Sequence, residues 1–205
     1  MSDFTPIEKA LEAGFSALGL ALQVAPFLDY LKLLKQWNKA YNLTAVRDME
    51  SMVSRHILDS LAILPWMRGQ HWLDVGTGPG LPGIPLALAR PDVQITLLDS
   101  NGKKTRFLRE VVRVLALKHV NVIESRVEAY HPEQRFDTVV SRAFSAIEPM
   151  IKNTHHLIST QGLWLAMKGQ IPNNELNTLN QSYQTTTYTV PGECGARCCV
   201  LIEPS

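Results

Sequence analysis

The chain has 205 residues, 45% of them hydrophobic and 19% charged, with a formal net charge of +1. That length bounds it to one main core with a modest appendage, and the composition excludes a disordered or fibrous chain. No run approaches the roughly 20 apolar residues of a membrane span and no basic segment precedes an apolar one at the N-terminus, so a cytoplasmic protein without membrane contact is expected.

Residues 6 to about 64 carry Leu20, Leu28, Leu31 and Leu34 at helical spacings among Lys32, Lys35, Gln36 and Lys39, which predicts an N-terminal helical extension over 1–64. Within it Trp37 and Tyr41 read as helix-packing residues, and His56 and Asp59 share a helix face at i and i+3. From Trp72 short apolar runs at 72–75, 93–98, 120–123, 136–140 and 163–167 alternate with amphipathic segments, the pattern of a mostly parallel sheet in a main domain over 65–205. Two further runs, 185–190 and 197–202, are too close together for a crossover helix. They predict a hairpin that puts one antiparallel strand at or near the sheet edge. The three cysteines, Cys194, Cys198 and Cys199, are odd in number and lack metal-ligand spacing, so free thiols and no metal site are expected.

Chemistry concentrates where the first strand ends. Asp74-Val75-Gly76-Thr77-Gly78-Pro79-Gly80 leads into the apolar segment that begins at Ile84, so a glycine turn opens a helix directly beyond a strand. That arrangement lets a nucleotide cofactor approach the backbone closely. Gly78, Gly80 and Gly83 also satisfy a dinucleotide pattern, which makes an NAD enzyme the rival reading. Two features favour S-adenosylmethionine. Asp74 would repel a pyrophosphate but can meet a cationic amino acid moiety, and Pro79, Pro82 and Pro85 remove amides that a pyrophosphate would use. Asp99, at the end of the second strand, either accepts ribose hydroxyls or caps the following helix.

Further along, Val127 is placed to pack on an adenine ring, while Glu128 reads from the residues alone as a helix-start carboxylate. Helix 103–117 sets Lys103, Arg106, Arg109 and Arg113 on one arc and Phe107, Leu108, Val111, Val114 and Leu115 on another. The charged arc is either a solvated face or a contact to a phosphate backbone. Arg142 ends the fourth strand, facing the ligand crevice, where a role near substrate is expected.

Tyr41-Asn42-Leu43-Thr44, Arg55-His56-Ile57-Leu58-Asp59-Ser60, the glycine-proline segment from Asp74 to Pro85, Ser141-Arg142-Ala143 and Lys168-Gly169 together resemble the RsmG/GidB family of bacterial small-subunit rRNA guanine-N7 methyltransferases. The resemblance covers about 30 to 170 and implies a class I S-adenosylmethionine-dependent methyltransferase fold with an N-terminal helical extension. It implies methylation of N7 of one guanine in a decoding-region loop of 16S rRNA, within a small subunit or an assembly intermediate. Carried over on matching positions, it implies cofactor contacts from Gly76, Leu81, Val127, Glu128 and Arg142. Catalytic or substrate-pocket roles fall to Asn42, His56, Arg142 and Lys168, with Arg126 touching RNA. Gly195-Ala196-Arg197-Cys198-Cys199 departs from the more polar segment the family pattern leads one to expect.

Guanine N7 presents an in-plane lone pair, so its methylation needs orientation and no deprotonation. The product ring becomes cationic, and Arg126, Arg142 and Lys168 are therefore expected to hold phosphate, guanine O6 or a cofactor carboxylate and not to sit against N7. A 5-methylcytosine enzyme would need a cysteine in the crevice, and none lies before residue 194. A small-molecule methyltransferase would share the glycine loop. A noncatalytic RNA-binding module would leave that loop unexplained.

Overall fold

The computed structural model describes residues 3–142 and 145–204, so Ala143 of the Ser141-Arg142-Ala143 segment lies outside the described residues. One seven-stranded sheet organises the molecule: β1 (His71–Val75), β2 (Gln94–Asp99), β3 (Val120–Glu124), β4 (Phe136–Arg142), β5 (Ile158–Lys168), β6 (Tyr183–Thr189) and β7 (Ala196–Ile202), in the order β3-β2-β1-β4-β5-β7-β6. The first five strands are parallel, and β7 inserts antiparallel between β5 and β6. The expected hairpin is present, with its antiparallel strand one place in from the edge.

The order reverses beside β1. From there the chain runs outward through β2 and β3, then returns to build β4 and β5 on the other side. In such a sheet ligands lie beyond the carboxyl ends of the strands at the reversal. Asp74, Asp99, Arg142 and Lys168 are at those ends.

Both faces of the sheet are covered, which is why its central strands are apolar on both sides and not alternating. One face takes Trp72, Ile95, Leu97, Val140 and Leu165 into a core with α1 (Thr5–Ala17), α2 (Val24–Tyr41), α5 (Gly83–Ala89) and α6 (Gly102–Val114). The other takes Leu73, Val139, Trp164 and Val200 into a core with α7 (Ile147–Thr154), to which α8 (Asn173–Leu176) adds Leu176. Successive strand residues point to opposite faces. Accordingly Cys199 enters the first core and Cys198 the second, both as free thiols, while Cys194 is exposed.

Three expectations change. The extension is not continuously helical: Leu20 lies in the linker after α1, and a loop follows α2. Residues 49–61 form one helical run composed of α3 (Met49–Met52), a π-helical turn (Val53–Leu58) and α4 (Asp59–Leu61), so the i, i+3 geometry assumed for His56 and Asp59 is altered. On α6, Val114 is 45% exposed and not part of the buried face, because the helix ends there and the chain turns through Ala116 at positive φ. Among the described residues no helix is long and apolar enough to cross a membrane.

Candidate active site

The glycine loop, Gly76 to Pro82, is held from three directions. Beneath it, Asp74 is buried and its Oδ2 accepts the Thr77 hydroxyl at 2.6 Å and the Gly83 N–H at 2.7 Å. Its Oδ1 is buried with no hydrogen-bond partner, and burial raises the carboxyl to about 6. From the side, Asp99 accepts the Gly78 N–H and the Asn101 N–H, both at 2.9 Å, and sits 3.3 Å from Lys104 Nζ. Asp99 is thus not the cap of α6. Asn101 fills that position, its side chain accepting the Lys103 N–H.

The third anchor comes from the extension. Tyr30, fully buried on α2, donates its hydroxyl to the Pro79 carbonyl at 2.9 Å. No periodicity could have flagged it, since Tyr30 reads as one more core position and its partner lies 49 residues away.

Gly76, Gly78 and Gly80 all adopt positive φ, and a Cβ on Gly80 would run into Ile84 and Leu108. A Cβ on Gly83 would strike Leu97 and Asp74. These glycines serve different ends. Gly76 borders the open crevice, Gly80 and Gly83 permit packing, and Leu81 turns its side chain into the core.

The crevice beyond β1, β2 and β3 has a volume of 280 Å³ and is bordered by Gly76, Asp99, Ser125, Arg126, Val127 and Glu128. Val127 is buried and offers an apolar wall, whereas Glu128 and Arg126 are exposed at its rim. An aromatic base fits that wall, and the Asp99 carboxylate fits a sugar diol. The partnerless Asp74 oxygen does not border the crevice, but its buried carboxyl behind the positive-φ glycines suits a nearby ligand group that is cationic and not phosphorylated, such as the amino acid end of S-adenosylmethionine.

A second crevice of 470 Å³ opens beyond β4 and β5, bordered by Arg55, His56, Asp59, Arg142, Lys168, Tyr188 and Arg197 among others. Its cations are pinned. Arg142 donates to the Arg55 carbonyl at 2.8 Å and to Asp59 at 3.2 Å, and Lys168 contacts both Glu175 oxygens at 3.0 Å. Arg197 lies 3.6 Å from Glu193 and 4.0 Å from Asp59, which also accepts the Tyr188 hydroxyl at 3.3 Å. His56 Nε2 is 2.9 Å from the Thr44 hydroxyl, and burial, helped by the Arg142 charge, lowers its pKa to about 4, so the ring is neutral near pH 7. Sequence reasoning placed Arg142, Lys168 and His56 here but missed Tyr188, Glu193 and Arg197. They come from the hairpin, far beyond the π-helical turn in sequence (129 residues separate Tyr188 from Asp59 and 139 separate Glu193 from Ser54), through a fold contact with no local signature.

Asn42 stands apart from this group. It ends α2 in the left-handed conformation, exposed, and accepts from Arg47 at 2.9 Å. On α6, Arg109 pairs with Glu124 at 3.2 Å and Arg113 with Glu110 at 2.7 Å, while the side chains of Lys103 and Arg106 are exposed and make no hydrogen bond or ion pair among the described residues.

A family model described as rRNA small subunit methyltransferase G matches residues 23–193. The ribosomal RNA small subunit methyltransferase G of Legionella pneumophila is 59% identical over 203 residues, covering 99% of this chain and 98% of the relative. That of Pseudomonas aeruginosa is 50% identical over 200 residues, 94% of either chain. Among solved structures, a SAM dependent methyltransferase from Aquifex aeolicus superposes with a TM-score of 0.57 at 17% identity, covering 74% of this chain and 92% of its own, a likeness of fold.

Proposed function

The chain belongs to the rRNA small subunit methyltransferase G family, and from that premise we propose that it methylates N7 of one guanine in a decoding-region loop of 16S rRNA. It is an S-adenosylmethionine-dependent rRNA methyltransferase with a class I fold. The observation that carries the finer reading is the pair of crevices flanking the sheet's reversal point, one suited to a cofactor and one to an acceptor base. S-adenosylmethionine supplies an electrophilic methyl group on sulfur.

In this reading Gly76, Asp99, Val127 and Glu128 border the cofactor, while Asp74, Gly78, Gly80 and Leu81 shape the loop that holds it. Arg142 borders the second crevice at the end of β4, the strand that pairs with β1. Its partner Asp59 and the Arg55 carbonyl fix its guanidinium, which keeps the positive charge where it can steer a polar edge of the guanine or the cofactor carboxylate. Lys168, held by Glu175, has the same character. A neutral His56 adds no charge beside a base that becomes cationic as it is methylated. Since N7 carries a free lone pair, the residues have no proton to remove, and rigid placement is their whole contribution.

Arg126 and Asn42 would meet the RNA at the rim, with Lys103, Arg106, Arg109 and Arg113 of α6 beyond them. The same reading assigns 1–64 to the helical extension and 65–205 to the catalytic domain. The RNA is presented in a small subunit or assembly intermediate in the cytoplasm.

The test is transfer of labelled methyl from S-adenosylmethionine to small-subunit rRNA that lacks its own modification, as transcript and as subunit, followed by nucleoside analysis. Label in 7-methylguanosine is expected. Label in another nucleoside, or only in a metabolite fraction, would overturn the reading.

A further inference from the structure

We propose that the hollow between the end of α2 and the start of α6 is a docking site for one unpaired nucleotide of the RNA substrate, its base stacked on Tyr41 and its phosphate held by Lys103 and Arg106. The inference rests on the reading of the chain as an RNA methyltransferase. It adds a contact separate from both crevices, which share no bordering residue with this hollow.

The hollow has a volume of 590 Å³, within the range of about 300–1,000 Å³ typical of small-ligand sites. Tyr41 forms one wall. Its ring stacks on Trp37 with centroids 5.3 Å apart at 27°, and Trp37 in turn meets Phe107 of α6 at 5.6 Å. Phe107 is fully buried, so the stack is anchored in the core. A ring already fixed on one face loses little freedom when a base covers the other. The Tyr41 hydroxyl makes no hydrogen bond among the described residues, which leaves the ring as the recognition element.

The opposite wall is cationic after internal pairing is subtracted. Glu124 would repel a phosphate, but it accepts the Thr105 hydroxyl at 2.7 Å and Arg109 at 3.2 Å, and these contacts hold its carboxyl below the usual range. Arg113 lies outside the hollow, its Nε and Nη2 donating to the two Glu110 carboxylate oxygens. Of the four-cation stripe visible in the sequence, Lys103 and Arg106 alone remain unpaired among the described residues, and both border the hollow with Tyr41. Two cations without an ion pair, bordering the same hollow as one aromatic ring, match the base and phosphate of a single nucleotide better than an extended backbone track.

The experiment measures the affinity of the full chain for unmethylated small-subunit rRNA transcript at several salt concentrations, beside S-adenosylmethionine binding. Tyr41→Phe should bind RNA within about twofold of wild type. Tyr41→Ala should bind about tenfold more weakly with an unchanged salt slope, because stacking releases no counterion. Arg106→Gln should reduce the salt slope by about one counterion. S-adenosylmethionine affinity should be the same in all. Wild-type RNA affinity in Tyr41→Ala, parallel loss of cofactor binding in that variant, or an unchanged slope in Arg106→Gln would each overturn the proposal. A wild-type protein that binds S-adenosylmethionine but no RNA would instead overturn the RNA reading on which it rests.

Discussion

At the scale of single residues, two buried titratable groups pull stability in opposite directions with pH. Burial raises Asp74 to about 6, above the roughly 3.9 of an unfolded aspartate. The folded chain therefore holds that proton more tightly, and the stabilisation it gives is complete below about pH 4 and lost as pH rises through about 6. His56 is lowered to about 4, so its neutral ring stabilises the fold above about pH 6.5 and that contribution is lost on acidification through about 4. The two slopes offset each other in wild type. In Asp74→Asn the histidine slope stands alone, and urea titrations of the ligand-free protein at pH about 6.5 and about 4 should show about 2–3 kcal/mol more loss than wild type. An equal response would mean that Asp74 stays ionised. Asp74, Asp99 and Arg142 were legible in the sequence as groups at strand ends, because strand, turn and helix signals fix those positions. The direction each faces was not. That Asp74 serves Thr77 and Gly83 from below the loop depends on the packing of Gly83 against Leu97.

Among the elements, the glycine loop was the most legible and the stretch from 49 to 61 the least. Alternating glycines after a strand announce a tight turn whatever the surroundings, but a π-helical turn has no sequence code, and the contacts made here, Arg142 to the Arg55 carbonyl and Tyr188 to Asp59, come from far along the chain. Nor could the spacing of glycines tell which are constrained by packing. Gly80 has φ +97 and its missing Cβ leaves room for Ile84, whereas Gly78 at φ +61 has nothing within 4 Å of a Cβ except the Gly76 carbonyl at 4.0 Å. Gly80→Ala is therefore expected to destabilise the fold by about 3 kcal/mol and Gly78→Ala by only about 1 kcal/mol. Denaturation midpoints of the two variants check the order. A reversed order would contradict the packing described for the loop.

For the whole molecule, the alternation of strands and helices made the parallel sheet and its antiparallel hairpin readable, while the seating of the extension was not, since amphipathic helices do not name the surface they cover. Leu11 and Leu31 of the extension enter the same core as Trp72 and Leu97 of the sheet. Leu11→Ala should accordingly cost about 2–5 kcal/mol and shift one transition seen alike by circular dichroism and tryptophan fluorescence. Two transitions, with the sheet unmoved, would mark the extension as an independent unit. The hydroxyl that Tyr30 lends to the Pro79 carbonyl has a bearing on modularity. A fragment cut at the first strand would carry every glycine of the loop and still lack one of its three supports. The smallest transplantable version of this binding loop therefore begins upstream of residue 30, and a chimera that borrows its helices from elsewhere must bring a phenol to the same place.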